Sequence, residues 1–542
     1  MFHSLLLPLL AATAAIAAPI EERAAAPSVP IQNGTVIGST LLGIDSSKGI
    51  PFTLPPTGSL RLKLPQTITA TYGTITATGI PTACPQFESQ VDTTNIPSDV
   101  LGTLLDSPIA QTVLVEGEDC LTINVQRPSG TTSSSNLPVV FWIFGGGFEF
   151  GSAAMYDGTN FIAESVKLGQ PVIYVAVNYR LGGFGFLAGD DLAAEHSTNL
   201  GLRDQRLGLQ WAQENIAAFG GDPTKVTIWG ESAGAISVFD HTVINGGDNT
   251  YNGKAMFRGA IMDSGSIVDA DTLTAPQAQT VYNTVVANAG CSSSSGKLAC
   301  LRSLSYEAYL AAANSVPAIF SARSLDLAYF PRPDPGDTFF AVSPEVSVAN
   351  GAFSKVPLIT NITTNADLIA YLATYFPGNP TAVANVTQLP AGSPFDTGAL
   401  YNIYPQFKRL AAILGDVTFT LPRRSYLSHV SSQVQKLALP RLLLPGAWTV
   451  LGTFHASDLL YAYGYASVPT QSIQTYYISF INSLDPNAIS TASPLIDWPQ
   501  WSNASGSPQL LEFQATTNAL ITDDFRQGAY EYLSNAETAF RV

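Results

Sequence analysis

The stretch that decides the fold is residues 226–234, which read Val-Thr-Ile-Trp-Gly-Glu-Ser-Ala-Gly. Its first four residues are typical of a buried β-strand, and residues 235–238 begin a plausible helix. Gly230 and Gly234 relieve crowding in a tight strand-to-helix turn, which holds the hydroxyl of Ser232 exposed. The stretch therefore predicts a nucleophile at Ser232; the alternative is a small-residue turn without chemistry.

Two apolar runs precede this turn in the sequence, and each is followed by a turn of its own. Residues 137–144 lead into Gly145-Gly146-Gly147, and residues 171–177 lead into Asn178-Tyr179-Arg180. Continuous apolar strands bounded by turns are typical of a sheet buried on both faces. A helical pattern over residues 204–219 stops at Gly220. Strand, helix and strand in this order predict a parallel α/β sheet.

A reactive serine also needs donors for an oxyanion and a base for its proton. The glycine run at 145–147 can present backbone N–H groups, and the N–H of Ala233 would complete the set. Among the histidines, His241 follows the turn too closely, and His429 lies in a helical stretch that suggests a structural role. His455 lies in a loop C-terminal to Ser232, the order that this kind of turn requires. An isolated loop histidine is more often inert, so this choice stays open here.

The composition of the chain excludes some classes of binding partner. The chain has 542 residues, 12% of them charged, and a formal net charge of -16. An acidic surface repels phosphate backbones, so we expect no nucleic-acid partner and a neutral or apolar small molecule instead. The cysteines lack metal-ligand spacing, and we expect neither a metal ion nor a cofactor.

The N-terminus has the pattern of a secretory signal. Residues 1–17 contain an apolar stretch that ends in Ala15-Ile16-Ala17, a small-residue cleavage site. We interpret residues 18–30 as a linker or propeptide and residues 31–542 as one domain. No later apolar run is long enough to span a bilayer. The sequence therefore predicts a secreted, extracellular protein.

Cysteines and N-x-S/T sites agree with export. Four cysteines allow three pairings, and their order favours Cys84–Cys120 and Cys291–Cys300. Candidate glycan acceptors are Asn33, Asn361, Asn385 and Asn503.

The motifs together match a known family. They are EDCLTINV at 118–125, WIFGGGFE at 142–149, NYR at 178–180, AAFGGDP at 217–223, GESAG at 230–234, SPFDTG at 393–398, PQFKR at 405–409 and GTFH at 452–455. With them the chain resembles the type-B carboxylesterase/lipase family of the α/β-hydrolase fold, and within it the secreted fungal lipases of the Candida rugosa and Geotrichum type. The resemblance extends from about residue 31 to the C-terminus.

The resemblance implies a large, mostly parallel central sheet flanked by helices, and a serine ester hydrolase acting on an ester or lipid. It implies Ser232 as nucleophile, His455 as base, and an oxyanion hole built from Gly146, Gly147 and Ala233. It also implies that the Cys84–Cys120 disulfide closes a flap. In that loop, residues 98–105 could form a short helix whose apolar face meets lipid, or one that only packs on the body.

The third member of the triad departs from the family. Family members carry a Glu in an Asp-Glu-Gly turn after a strand like residues 356–359, but here Thr360 and Asn361 follow directly. The simplest alignment is a deletion of the acid-bearing turn, with Asp367 as a weak substitute in the next helix. Residues 435–450 are also irregular, which suggests a wrong exon boundary or a splice variant; a transcript that reads through residues 355–370 unchanged would exclude it.

Three functions follow from these observations. The first is an ester hydrolase that works through an acyl-enzyme on Ser232. The second is an impaired or non-catalytic binding protein of the same fold, favoured only by the missing acid. The third, an amidase or peptidase, is disfavoured because the motifs follow lipases throughout.

Overall fold

The computed structural model describes residues 26–87, 114–318, 327–360, 415, 419–430, 436–438, 441–443, 455–464, 468–489, 495–502, 508–514, 517–524 and 527–534. The strands are β1 (Ser28–Ile31), β2 (Gly34–Ile37), β3 (Ser39–Leu41), β4 (Ile44–Pro51), β5 (Thr74–Thr76), β6 (Thr122–Pro128), β7 (Leu137–Ile143), β8 (Ile173–Val177), β9 (Gly221–Glu231), β10 (Thr250–Tyr251), β11 (Lys254–Ala255), β12 (Gly259–Asp263), β13 (Leu358–Thr360), β14 (Lys436–Ala438), β15 (Arg441–Leu443), β16 (Gln509–Gln514) and β17 (Asn518–Thr522).

The helices are α1 (Thr159–Lys167), α2 (Gly182–Gly185), α3 (Asp190–Ala194), α4 (Leu200–Asn215), α5 (Ala233–Val243), α6 (Pro276–Asn288), α7 (Lys297–Ser303), α8 (Tyr306–Ala313), α9 (Pro344–Ala349), α10 (Leu421–Val430), α11 (Ser457–Ala462), α12 (Val468–Ser483) and α13 (Gln527–Ser534). Short 3₁₀ turns lie at Gly58–Leu60, Ala153–Met155, Ile216–Phe219 and Ile244–Gly247. Among the described residues, every helix is too short or too polar to traverse a lipid bilayer.

A nine-stranded sheet forms the centre of the fold, in the order β14-β13-β12-β9-β7-β8-β6-β4-β3. The six strands from β14 to β8 are parallel, whereas β6, β4 and β3 pair antiparallel at one edge. Helices flank the sheet, so the predicted large, mostly parallel central sheet with flanking helices is confirmed. The small sheets β1-β2-β5 and β15-β16-β17 and the hairpin β10-β11 lie outside it.

The parallel strands place their carboxyl ends along one edge of the sheet. Ile143 at the end of β7 pairs with Gly230 near the end of β9, and Glu231 pairs with Asp263 at the end of β12. Thr360 ends β13 and pairs with Met262. In open parallel sheets, ligands bind at the loops that follow the carboxyl ends of the strands. We therefore expect the functional side chains just beyond these strand ends.

The core explains why the predicted strands form. The side chains of β7 and β8 are almost entirely buried, which is the reason their sequences are continuously apolar. Trp142 of β7 meets Trp229 of β9 edge to face at 4.9 Å, and Tyr463 stacks on Trp229 at 5.6 Å. These rings bury a large apolar area directly beneath the turn that carries Ser232.

Three boundaries differ from the predictions. Helix α4 begins at Leu200 rather than at residue 204 and continues as a 3₁₀ turn to Phe219, after which Gly220 takes a φ of 89°. Strand β9 spans Gly221–Glu231 and is longer than the apolar run, because Gly221 already pairs with Leu137 of β7 before an irregularity that ends at Val226. Strand β1 begins at Ser28, so the end of the segment predicted as linker (18–30) belongs to a sheet; residues 1–25 lie outside the described residues.

Candidate active site

Ser232 lies at a sharp turn between β9 and α5. Its φ of 55° and ψ of -124° are uncommon for a residue with a side chain. Two backbone bonds hold the strained residue: its N–H donates to the carbonyl of Asp263 at 2.8 Å, and its carbonyl accepts from Ile236 at 2.9 Å. The turn is therefore fixed by β12 on one side and by the first turn of α5 on the other.

The glycines around Ser232 are required by close backbone contacts. A Cβ on Gly230 would lie 2.4 Å from the carbonyl group of Gly234, and one on Gly234 would lie 2.1 Å from the carbonyl oxygen of Ile143. Both distances are below the 3.0 Å that real Cβ atoms keep. Only glycine at these two positions lets α5 begin directly against the end of β7.

The imidazole of His455 meets the hydroxyl of Ser232 although 223 residues separate them. The Nε2–Oγ distance is 2.8 Å, which is the reach that a general base needs. His455 lies just before α11, next to Ala456 with a φ of 68°. The structure thus brings the two predicted residues together.

An aromatic ring that the sequence did not indicate lies on this imidazole. The ring of Phe419 stacks on that of His455 with centroids 4.8 Å apart and planes 21° from parallel. The imidazole side chain is 34% exposed, but its Nδ1 is buried. Burial disfavours the charged form and lowers the pKa of His455 to about 4.

The Nδ1 side of His455 differs from that of a complete triad. Among the described residues, Nδ1 has no hydrogen-bond partner. In a Ser-His-Asp triad this nitrogen donates to the carboxylate that fixes the tautomer and stabilises the imidazolium. The weak candidate for that role, Asp367, lies outside the described residues, and its assignment stays a prediction.

The predicted oxyanion donors belong to the glycine loop after β7 and to Ala233, the residue that follows Ser232. Gly146 and Gly147 take φ values of 98° and 63°, and a Cβ on the preceding Gly145 would lie 2.8 Å from the Cβ of Ser232. Glycine at these positions lets the loop approach the serine this closely. Among the hydrogen bonds of the described residues, none uses the backbone N–H of Gly146, Gly147 or Ala233. Their role as donors to a developing oxyanion stays a prediction.

Three buried carboxyl groups lie beside the serine and histidine. Glu231 Oε1 is 3.4 Å from His455 Nε2, and burial, with repulsion from Asp458 and Asp263, raises the pKa of Glu231 well above its usual range. The pKa of Asp263 is raised by burial and by Asp458, although its carboxylate accepts hydrogen bonds from Trp229 at 2.7 Å and Tyr477 at 2.6 Å. Glu231 and Asp263 therefore favour holding protons. The sequence placed Glu231 inside the motif but gave no sign of this cluster, which only the fold assembles.

The other histidines are occupied elsewhere. His241 is buried on α5, where its Nε2 lies 3.1 Å from Gln205 Oε1, and burial lowers its pKa to about 3. His429 is exposed on α10, and its Nδ1 lies 2.8 Å from the carbonyl of Ser425. Neither reaches Ser232, which agrees with their rejection as bases.

One group of side chains has metal-ligand geometry. His196, Asp334 and Asp337 offer ligand atoms within 4.8 Å of one another. However, Asp334 accepts hydrogen bonds from Thr198 and Gly336, and Asp337 forms an ion pair with Arg203. These contacts give both carboxylates a structural role.

The two disulfides join the pairs that the sequence order favoured, Cys84–Cys120 and Cys291–Cys300. Residues 88–113, including the predicted flap helix at 98–105, lie outside the described residues. Of the glycan candidates, Asn33 lies between β1 and β2, and its amide donates to the carbonyl of Ile68 at 2.9 Å. Asn361, Asn385 and Asn503 are also outside the described residues, so glycosylation stays a prediction.

Comparison with known proteins decides the family. The sequence profile described as "Carboxylesterase family" matches residues 25–389. The chain belongs to the carboxylesterase family. It is 49% identical to Secreted lipase 1 of Botryotinia fuckeliana, over 95% of this chain and 94% of that one. It is 39% identical to Lipase 1 of Geotrichum candidum, over 95% and 96% of the two chains.

Solved structures agree with the sequence comparison. The fold of the chain superimposes on the crystal structure of Aspergillus niger EstA with a TM-score of 0.78 and 25% identity, covering 96% of this chain and 99% of that one. The predicted α/β-hydrolase fold is confirmed. The resemblance to fungal lipases of the Geotrichum type is therefore confirmed, and the protein is a carboxylic ester hydrolase by family.

Proposed function

We propose that this chain is a secreted lipase or carboxylesterase that works through an acyl-enzyme on Ser232, with His455 as the general base. The observation that carries the proposal is the 2.8 Å contact between His455 Nε2 and Ser232 Oγ at a strained strand-to-helix turn. Secretion is supported by the N-terminal signal pattern and by the name of the Botryotinia relative, Secreted lipase 1.

The proposed reaction has two steps. Ser232 Oγ attacks the ester carbonyl while its proton passes to His455 Nε2, and the N–H groups of Gly146, Gly147 and Ala233 stabilise the oxyanion. His455 then gives the proton to the departing alcohol. In the second step a water attacks the acyl-enzyme, His455 takes the proton of the water, and the acid leaves as Ser232 is protonated again.

The substrate is proposed to be a carboxylic ester with an apolar acyl group. The relatives named above are lipases, and the acidic chain disfavours strongly anionic partners. The loop bounded by Cys84 and Cys120 is proposed to contact the lipid interface as a flap.

A second candidate is a catalytically impaired protein of the same fold. The observation that favours it is that Nδ1 of His455 has no hydrogen-bond partner among the described residues. Losing the acid of a serine triad lowers turnover by about 10⁴-fold, so the parent chain is expected to react slowly.

The experiment is labelling of the purified chain with a p-nitrophenyl alkylphosphonate, alongside hydrolysis of p-nitrophenyl esters of increasing chain length. We expect slow, stoichiometric labelling at Ser232 and none in Ser232→Ala. Folded parent chain that stays unlabelled, or equal hydrolysis by the Ser232→Ala variant, would refute the assignment.

A further inference from the structure

The buried carboxylate of Asp523 holds two arginines of a single helix. Asp523 follows β17, and its backbone N–H donates to the carbonyl of Pro508 at 2.7 Å. Its side chain is 1% exposed and accepts five hydrogen bonds from described residues. The donors are Arg423 at 2.9 and 3.1 Å, Arg424 at 2.9 and 3.2 Å, and the indole of Trp501 at 2.9 Å.

The two arginines are as buried as the carboxylate between them. The side chains of Arg423 and Arg424 are 1% and 4% exposed. Burial would raise the pKa of Asp523, but the two guanidinium groups lower it overall, so the carboxylate stays charged. Charge-assisted bonds to a planar guanidinium fix the direction between two groups as well as their distance. They therefore fix the rotation and the position of the helix that carries both arginines.

The same helix carries the ring that stacks on His455. Helix α10 is Leu421–Val430, and residues 419 and 420 extend it by a wider π turn. Phe419 precedes Arg423 by four residues, about one helical turn, so the two side chains leave the helix from neighbouring points. A shift of α10 at Arg423 is therefore passed on to the ring of Phe419.

Helix α10 also contacts the helix that follows the nucleophile. Tyr426 of α10 meets Phe239 of α5 edge to face, with ring centroids 4.9 Å apart. Aromatic pairs are favourable over a range of centroid distances from about 4.5 to 7 Å, so this contact alone leaves α10 some freedom. The directional bonds to Asp523 remove that freedom.

The stacked ring affects the imidazole of His455 in two ways. It fixes the plane of the imidazole, which keeps Nε2 at 2.8 Å from Ser232 Oγ. It also keeps water from one face, and burial is what lowers the pKa of His455. Among the acidic groups nearby, Glu231 Oε1 lies 3.4 Å from Nε2, and Asp263 and Asp458 lie beside Glu231. These three acids belong to elements other than α10.

We propose that Asp523 is a positioning residue for the base, His455. Asp523 holds α10 through the two arginines, and α10 holds the ring of Phe419 over the imidazole. The inference rests on the roles proposed above for the serine and the histidine. Asp523 acts through the helix and takes no part in proton transfer.

The test compares Asp523→Asn with the parent full-length chain in phosphonate labelling of Ser232, measured as a function of pH. Asparagine keeps the shape of the side chain but removes its charge, so the bonds to both arginines weaken and α10 is released. We expect labelling to slow several-fold, as on loss of the Phe419 ring. The pH at which the rate falls should rise by about one unit from near 4, because a less covered imidazole is protonated more easily.

A matched variant separates this effect from a loss of stability. Asp45→Asn makes the same chemical change at a largely buried acid that pairs with Arg127 at 3.4 Å. Asp45 lies on β4, four strands from β9, which is roughly 19 Å at about 4.8 Å per strand. It should lower the melting temperature, followed by circular dichroism, but keep the parent rate and pH profile. Equal changes in Asp45→Asn, or parent rate and pH profile in folded Asp523→Asn, would overturn the proposal.

A double-mutant cycle shows whether Asp523 acts through the ring. In Phe419→Leu the ring is already lost, so adding Asp523→Asn should slow labelling by less than about twofold more. A further several-fold loss would refute the route through Phe419.

A milder variant covers the case in which Asp523→Asn does not fold. Arg423→Lys keeps the charge but loses the planar fork, so it should change the rate and the pH profile in the same direction and by less. Parent behaviour of folded Arg423→Lys would then count as the refuting result.

The outcomes also separate this inference from the proposed function. Labelling of Ser232 that neither variant alters overturns the positioning role and leaves the hydrolase assignment standing. If Ser232 stays unlabelled in the folded parent chain, the hydrolase assignment fails, and the inference that rests on it fails with it.

Discussion

A single methyl group at Gly234 is predicted to displace the nucleophile. In Gly234→Ala the new Cβ would lie 2.1 Å from the carbonyl oxygen of Ile143 and 2.8 Å from that of Phe144. The first distance is about 0.9 Å short of the 3.0 Å that real Cβ atoms keep. Both obstacles are backbone atoms at the end of β7, so no side chain can rotate out of the way.

The start of α5 must therefore move by about an ångström, and Ser232 precedes it directly. A misplacement of about 1 Å costs about 10²-fold in rate, and overpacking of this kind destabilises by about 1–3 kcal/mol. We expect Gly234→Ala to label with phosphonate about 100-fold more slowly than the parent chain and to melt at a lower temperature.

The matched control is Gly296→Ala. Gly296 has an ordinary φ of -125°, and a Cβ there would meet only the Cβ of Ala299 at 3.6 Å. This variant should label and melt like the parent. If Gly234→Ala also kept the parent rate, α5 would not be held against β7 as described, and the steric reasoning would be wrong.

Three further predictions concern the base, its ring contact and a buried ion pair. Because the pKa of His455 is lowered to about 4, the neutral base persists in mild acid, and the labelling rate should fall only near pH 4; a fall near pH 6.5 would contradict this. Phe419→Leu should slow labelling several-fold because the stack that orients the imidazole is lost, while Phe419→Tyr should retain the parent rate. Asp204 forms a buried ion pair with Arg180 at 2.7 Å. Asp204→Ala should therefore lower the free energy of unfolding, measured in guanidinium, by about 3–5 kcal/mol. An unchanged free energy of unfolding would refute this prediction.

The turn at Ser232 could be predicted from sequence because its constraint is local. Steric crowding fixes Gly230 and Gly234 within a few residues of the serine, and a buried strand before the turn is visible as an apolar run. The disulfides were predictable for a similar reason, since each joins cysteines that are neighbours in sequence order. His455 could be selected by its order in the chain, and the structure places it against Ser232.

Other parts of the site depend on contacts between residues that are far apart in the chain, and such contacts leave no periodic pattern in the sequence. Phe419 looks like any core aromatic until α10 and α11 place it on His455. The carboxyl groups of Glu231, Asp263 and Asp458 come from three separate segments, and only the sheet register brings the first two side by side. The antiparallel edge formed by β3, β4 and β6 was also not predicted, because β3 has only three residues and β4 mixes polar with apolar residues, which gives a weak strand signal.

The long separation between Ser232 and His455 has a consequence for biosynthesis. At 5–20 residues per second, the ribosome needs roughly 10–45 s to synthesise the 223 residues that separate the two side chains. During that time the nascent chain contains the proposed nucleophile without its proposed base. If the proposed roles hold, esters that the emerging chain meets are safe from cleavage until His455 has been synthesised and has folded against Ser232.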